Sequence, residues 1–255
     1  MILALESVSK TFAGLQALAE VSFAIAPGAI TAVIGPNGAG KTTLFNVVTG
    51  VFPPTRGSIR FLGRDIAGLP PERIVGLGIS RTFQHVHLFR TLTVLENVML
   101  ARHGHSRAEA LACGLGLPWA RREEAAVRAQ ALEYLDLLGL AGDRDRIAPE
   151  LPLGRQRYVE LARALATEPR LILLDEPTAG LNEREAHEFG EALFRVRQRG
   201  IAILLIEHHM GFVMTVSDRI VVLNFGRKIA EGGPPEIQKS PAVIEAYLGS
   251  DDGRD

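Results

Sequence analysis

A chain of 255 residues with 28 Lys+Arg against 29 Asp+Glu carries a net charge of −1, so it offers no broad basic field for nucleic acid or anionic lipid. Hydrophobic residues at 47% and charged residues at 22% supply a large core and exclude disordered, collagen-like and disulfide-scaffold classes. The lone Cys113 cannot form an internal disulfide and fits a reducing compartment.

At roughly 150 residues per domain, the length suits one large domain or one domain with an inserted subdomain. In chain order, the first thirty residues read as paired strands, with VSFAI at 21–25 before a Pro27-Gly28 turn. ITAVIG at 30–35 is a continuous apolar run, as are LILLD at 171–175, IAILLIE at 201–207 and RIVVLN at 219–224. Such runs suit strands buried on both faces of a parallel sheet. Helical patterns at 41–49, 183–198 and 209–216 follow three of them, which is the α/β layered pattern. Residues from about 91 to 166 differ, with few strand-like runs and a helical pattern at 121–138 carrying Ala125, Leu132, Leu135 and Leu138. This stretch reads as a helical subdomain, 91–166, set into a core of 1–90 and 167–255, with loops at 114–118 and 139–149. The longest uncharged stretch, 21–40, is broken by Pro27, Gly28, Gly35, Pro36, Asn37, Gly38 and Gly40, so no membrane span is expected. The start MILALESVSK lacks the basic region of a secretory signal. Any action at a membrane therefore calls for another chain to provide the span.

Gly35, Pro36, Asn37, Gly38, Ala39, Gly40, Lys41, Thr42 and Thr43 match the pattern GxxxxGK[ST]. Glycines permit a tight loop whose backbone N–H groups converge on phosphate oxygens, and the following helix adds its N-terminus. Lys41 would neutralise the β- and γ-phosphates and Thr42 would ligate Mg²⁺. At the end of LILLDE, Asp175 would hold the same ion through its water shell, and Glu176 would act as general base on an attacking water. Alone, two acids at a strand end also suit a helix N-cap; a phosphate loop upstream favours the catalytic reading. The histidines His85, His87, His103 and His105 have no metal-ligand spacing, and no GxSxG elbow is present.

The order of phosphate loop, Gln84, LPLGRQR at 151–157, LILLDE, AGLN at 179–182 and His208 resembles the nucleotide-binding subunit of an ABC transporter over essentially the whole chain. RTFQHVHLFR at 81–90, TVLENV at 93–98, LLIEHHM at 204–210 and AVIEAYLG at 242–249 resemble the branch that serves branched-chain (hydrophobic) amino acid importers. The resemblance implies a P-loop NTPase (RecA-like) α/β core with an antiparallel β subdomain and an inserted α-helical subdomain. It implies ATP and Mg²⁺ as ligands, with Phe12 stacked on adenine, Gln84 at the metal and the attacking water, and His208 on the γ-phosphate. Leu151, Pro152, Leu153, Gly154 and Gln156 align with the segment that binds the ATP of an opposite subunit, so the active site would be shared in a head-to-tail pair, homodimeric or with a paralogue. Transmembrane permease subunits and, indirectly, a substrate-binding protein follow as partners, with the chain on the inner face of the cell membrane and no nucleic acid involved. The sequence departs from the usual pattern at Pro152, where a serine is usual, and at Asn182 and His209, where acids are common. A urea or short-amide importer, a lipopolysaccharide-export ATPase, or a non-transport ABC ATPase of translation or DNA repair are the alternatives. The last class carries paired nucleotide domains, a coiled-coil insert or basic extensions.

Overall fold

The computed structural model describes residues 1–82, 86–102 and 118–248. Strands β1 (Leu3–Phe12) and β2 (Leu15–Ile25) form an antiparallel hairpin, as the sequence suggests, and the Pro27-Gly28 turn leads into β3 (Ile30–Ile34). Helix α1 (Lys41–Val48) follows the glycine-rich loop. Strands β4 (Arg56–Phe61) and β5 (Arg64–Asp65) add to β1, giving a four-stranded sheet in the order β2-β1-β4-β5. After α2 (Pro71–Gly76) comes β6 (Ile79–Arg81), the edge of a second sheet.

The described chain then turns helical. It runs through α3 (Val94–Ala101), α4 (Pro118–Leu137) and α5 (Leu153–Ala166), with 3-10 turns at Ala141–Asp143 and Ala148–Glu150. Pro118, expected in a loop, instead opens α4; proline is tolerated at a helix start because its missing N–H has no partner to lose there. Residues 114–117 of that expected loop, and Cys113, lie outside the described residues.

The remaining elements complete the second sheet: β7 (Leu171–Asp175), α6 (Glu183–Gln198), β8 (Ala202–Ile206), α7 (Met210–Val216), β9 (Arg219–Asn224) and β10 (Arg227–Gly232). Its order is β10-β9-β3-β8-β7-β6, parallel except for the β9–β10 hairpin. Two short helices, α8 (Pro234–Gln238) and α9 (Pro241–Leu248), close the described chain.

All five residues of β3, β7 and β8 are buried, which explains the unbroken apolar runs. Ala32, Ile34, Leu174 and Leu205 face a core shared with α5, α6 and α7, whereas Val33, Leu173 and Leu204 face a second core shared with α1, β1 and β2. Two cores thus clamp the sheet from both sides. The carboxyl ends of β3, β7 and β8 are thereby fixed next to one another, where an open α/β sheet places its ligands. Among the described residues no helix is long and apolar enough to cross a membrane.

Candidate active site

The loop between β3 and α1 is held by close backbone approach. A Cβ at Gly35 would lie 2.1 Å from the Leu223 carbonyl oxygen, so only glycine fits there. Helix α1 starts at Lys41 with no side-chain cap and no acid in its first turn, so its free amides and positive dipole end face the loop. Lys41 Nζ donates to the carbonyls of Gly35 at 2.7 Å and Pro36 at 2.9 Å. Burial pulls the Lys41 ammonium below its usual range, while Glu176 and Asp175 act in the opposite direction. This cation is aimed into a cavity of about 520 Å³ that Asn37, Gly38, Ala39, Gly40, Thr42, Thr43, Glu176 and His208 also line, with Phe12 at its side.

Strand β7 delivers Asp175 and Glu176 to the same place. Asp175 Oδ2 accepts from Arg81 at 2.7 Å, and Arg81 also donates to Asn46 Oδ1 at 2.6 Å on α1. Glu176 leaves the strand with φ of +49°, a left-handed conformation unusual for a long side chain, while its N–H still bonds the Ile206 carbonyl of β8 at 2.9 Å. That turn aims the carboxylate back at the cavity, where Glu176 Oε1 lies 2.9 Å from His208 Nε2. A carboxylate only accepts, so the Nε2 proton sits between them when Glu176 is ionised.

His208 is set in turn by Glu207, a buried carboxylate. Its Oε2 accepts the His208 N–H at 3.0 Å, and its Oε1 accepts both the N–H of Thr178 at 2.8 Å and the Thr178 hydroxyl at 2.6 Å. One side chain therefore joins the loop after β7 to the loop after β8.

The residues expected at an opposite subunit's ATP do not line this cavity; they surround the start of α5. Leu151 and Gly154 are buried, Pro152 and Leu153 are exposed, and Pro152 N-caps the helix without a side-chain cap. The Gln156 amide donates to the carbonyls of Pro149 and Leu151, at 3.1 and 2.8 Å, and so braces the approach to the helix. Asn182 N-caps α6 in a reciprocal capping box with Glu185. His209 precedes the first residue of α7. Gln84 lies outside the described residues, as do His85, His103 and His105. The chain is described again from Val86, and α5 grips it there: Glu160 accepts the His87 N–H at 3.1 Å and Arg163 donates to the His87 carbonyl.

Arg81, Glu207 and Tyr247 were not singled out by sequence reasoning. Burial pushes the Tyr247 hydroxyl up, against a hydrogen bond from the Gly35 backbone, so α9 touches the first residue of the phosphate loop. None of the three had a local signal: Arg81 ends a strand of three residues, Ile79–Arg81, with a single apolar side chain.

Comparison with known proteins agrees over the full length. The family described as ABC transporter matches residues 18–179, and the family described as branched-chain amino acid ATP-binding cassette transporter matches 227–253. The high-affinity branched-chain amino acid transport ATP-binding protein LivG of Salmonella typhimurium is 43% identical over 249 residues, 97% of this chain and 98% of its own. BraF of Pseudomonas aeruginosa, of the same description, is 41% identical with the same coverage. Among solved structures, the ADP conformation of MJ1267, an ATP-binding cassette of an ABC transporter, superposes with a TM-score of 0.85 at 35% identity, covering 97% of this chain and 98% of that one. A dimeric post-hydrolysis state of the ATP-binding cassette MJ0796, bound to ADP and Pi, gives 0.75 at 26% identity, covering 91% and 98%.

Proposed function

This chain belongs to the ABC transporter family as an ATP-hydrolysing, transport-coupled subunit, and on that premise we propose that its ATP drives the import of branched-chain amino acids. Support for the cargo comes from the full-length likeness to LivG and BraF and from the separate match at 227–253. The chemistry is carried by one observation: Glu176 and His208 meet at 2.9 Å beside the Lys41 loop.

In this reading the loop amides of 35–43 and the α1 N-terminus hold the β- and γ-phosphates, and Lys41 leaves its carbonyl partners to neutralise them. Phe12 stacks on adenine. Thr42 and Asp175 offer the hard oxygen donors that suit Mg²⁺, with Asp175 Oδ2 already oriented by Arg81. Among the described residues no group of three His, Cys, Asp or Glu side chains could hold a metal by itself, and phosphate and water oxygens would share such a site. An ion held by Thr42 and Asp175 would offset the charge of the phosphates. Glu176 accepts the proton of the attacking water, His208 orients Glu176 and reaches the γ-phosphate, and Gln84 reports on the site to the partner chain.

Leu151 to Gly154 and the start of α5 serve the ATP of a second ATP-binding subunit, identical or paralogous. The helical segment 91–166 and the chain near Gln84 contact transmembrane permease subunits, which hold the protein on the inner face of the membrane and pass the stroke to a cargo delivered by a substrate-binding protein. The test is Glu176→Gln. ATP binding should persist while hydrolysis falls on the order of 10²-fold or more, because an amide cannot take the water's proton. Turnover near wild type would remove Glu176 as the base.

A further inference from the structure

The β9–β10 turn displays an aromatic that the mechanism above does not use. Phe225 has φ of +44°, a conformation that glycine and asparagine accept and phenylalanine resists. Its side chain is 85% exposed, so no burial compensates for the strain. The turn cannot relax, because both sides of it are tied down. Gly226 N–H donates to the Ala39 carbonyl of the phosphate loop at 3.0 Å, and the Ala19 N–H of β2 donates to the Gly226 carbonyl at 2.8 Å. A Cβ at Gly226 would sit 2.7 Å from the Ala17 carbonyl oxygen, so the glycine is what lets the turn press against β2. Ala13 and Leu62 take the same left-handed φ ahead of Gly14 and Gly63 in the other two hairpins, as a two-residue turn requires; what sets Phe225 apart is a solvated aromatic ring held firmly beside the phosphate loop.

The ring stands on the rim of the phosphate-loop cavity, which Phe12 and Leu15 also line. Leu15 is 73% exposed and Phe12 37% exposed. One edge of Phe12 is occupied by the Phe52 ring, 5.2 Å away and edge-on, and Lys10 Nζ lies 4.9 Å from its centroid. Phe12 alone therefore gives a base one aromatic wall. Three apolar side chains at the mouth of a pocket whose floor is amides and charges divide it by chemistry: phosphates inside, a flat apolar group outside.

We propose that Phe225 is a specificity residue of the nucleotide site, its ring closing on the base and ribose from the β9–β10 side while Phe12 and Leu15 cover the other. The proposal rests on the ATP-site reading above. Covering the ring removes apolar surface from water and adds aromatic contact to the base, which adds affinity for a nucleotide but none for bare phosphate.

The test compares ADP with inorganic pyrophosphate by calorimetric titration of the isolated chain. In Phe225→Ala and Phe225→Gly, ADP affinity should fall roughly tenfold while pyrophosphate affinity stays at the wild-type value. Phe225→Gly suits the positive φ, so its ligand-free melting temperature should not drop, and Phe225→Trp should restore ADP binding. Wild-type ADP affinity in both variants would overturn the proposal. Equal losses for ADP and pyrophosphate would overturn it too, since the turn would then act only through the phosphate loop. A loss confined to ATP-dependent dimerisation would place the ring against the second subunit instead. Lys41→Ala separates the two levels: if it binds both ligands as wild type does, the ATP site itself is misplaced, whereas loss of both with Phe225 variants unaffected overturns only the role of Phe225.

Discussion

The Asp175 side chain is only 10% exposed, and Arg81, 11% exposed, is its ion-pair partner at 2.7 Å. Removing one member of a buried pair leaves the other charge uncompensated, which typically costs about 3–5 kcal/mol. Arg81→Met should therefore lower the unfolding free energy of the nucleotide-free chain by an amount in that range, seen as a lower urea midpoint, and a midpoint like wild type would show that solvent reaches Asp175. Pro152 invites the opposite kind of change. It precedes α5 with no side-chain cap, and a serine there can accept from the first-turn amides, a contact worth about 0.5–2 kcal/mol relative to an uncapped residue. In a closed dimer that hydroxyl could instead donate to the partner's γ-phosphate. Pro152→Ser on a Glu176→Gln background should tighten ATP-dependent dimerisation, measured by light scattering; an unchanged dimer would place Pro152 away from the phosphate. The glycines and Lys41 of the phosphate loop were legible in the sequence because they act within nine consecutive residues. Glu207 was not, because its acceptors matter only once Thr178, 29 residues away, is brought to its side.

At the scale of elements, the start of α5 hangs on a cation from its own first turn. Arg155 donates through Nε to Asp143 Oδ2 at 2.9 Å, and Arg146 donates to Oδ1 at 3.0 Å. Burial works against ionising Asp143, but the hydrogen bonds from Arg155 and Arg146 outweigh it and hold the carboxyl below its usual value of 3.8. A depressed folded-state pKa contributes stability above the unfolded value and loses it as pH falls through the folded one. Asp143→Asn should thus cost about 1 kcal/mol at neutral pH, allowing for the solvent exposure of both arginines, and the gap should close as acid titrates Asp143 below the ordinary carboxylate range. Melting temperatures of both proteins across acid pH would check this; a gap independent of pH would mean the pair is not ionic. Helix α6 was readable from 183 to 198 as a helical pattern; the Asn182–Glu185 capping box that fixes its start came only with the structure. The stretch 56–81 was not resolved into elements. Strands β5 and β6 are two and three residues long, too short for a period, β4 is six residues with a glycine and two arginines, and the three exist through pairing, β4 with β1, β5 with β4 and β6 with β7.

For the whole molecule, the separation between the Lys41 cavity and the start of α5 is the central fact. No residue of 151–156 lines the Lys41 cavity, so on the reading that this segment binds a γ-phosphate the phosphate is that of another copy, and turnover should depend on it. Specific activity of the purified chain should rise with protein concentration across the dimerisation range, and a demonstrated monomer with concentration-independent turnover would refute the shared site. The α/β class was legible because β3, β7, β8 and β9 are so uniformly apolar, whereas their order in the sheet follows from connections no local pattern records. That order has a consequence for biosynthesis. Strand β3, which launches the phosphate loop, lies between β8 and β9, and roughly 170 residues of chain separate it from β8. At about 5–20 residues per second on the ribosome, a strand buried at all five positions waits on the order of 10–30 s for either flanking partner. Until then α1 and the β1–β2–β4 sheet can cover one of its faces and the helix α5 part of the other, while both of its edges stay unpaired and open to a chaperone at the exit tunnel.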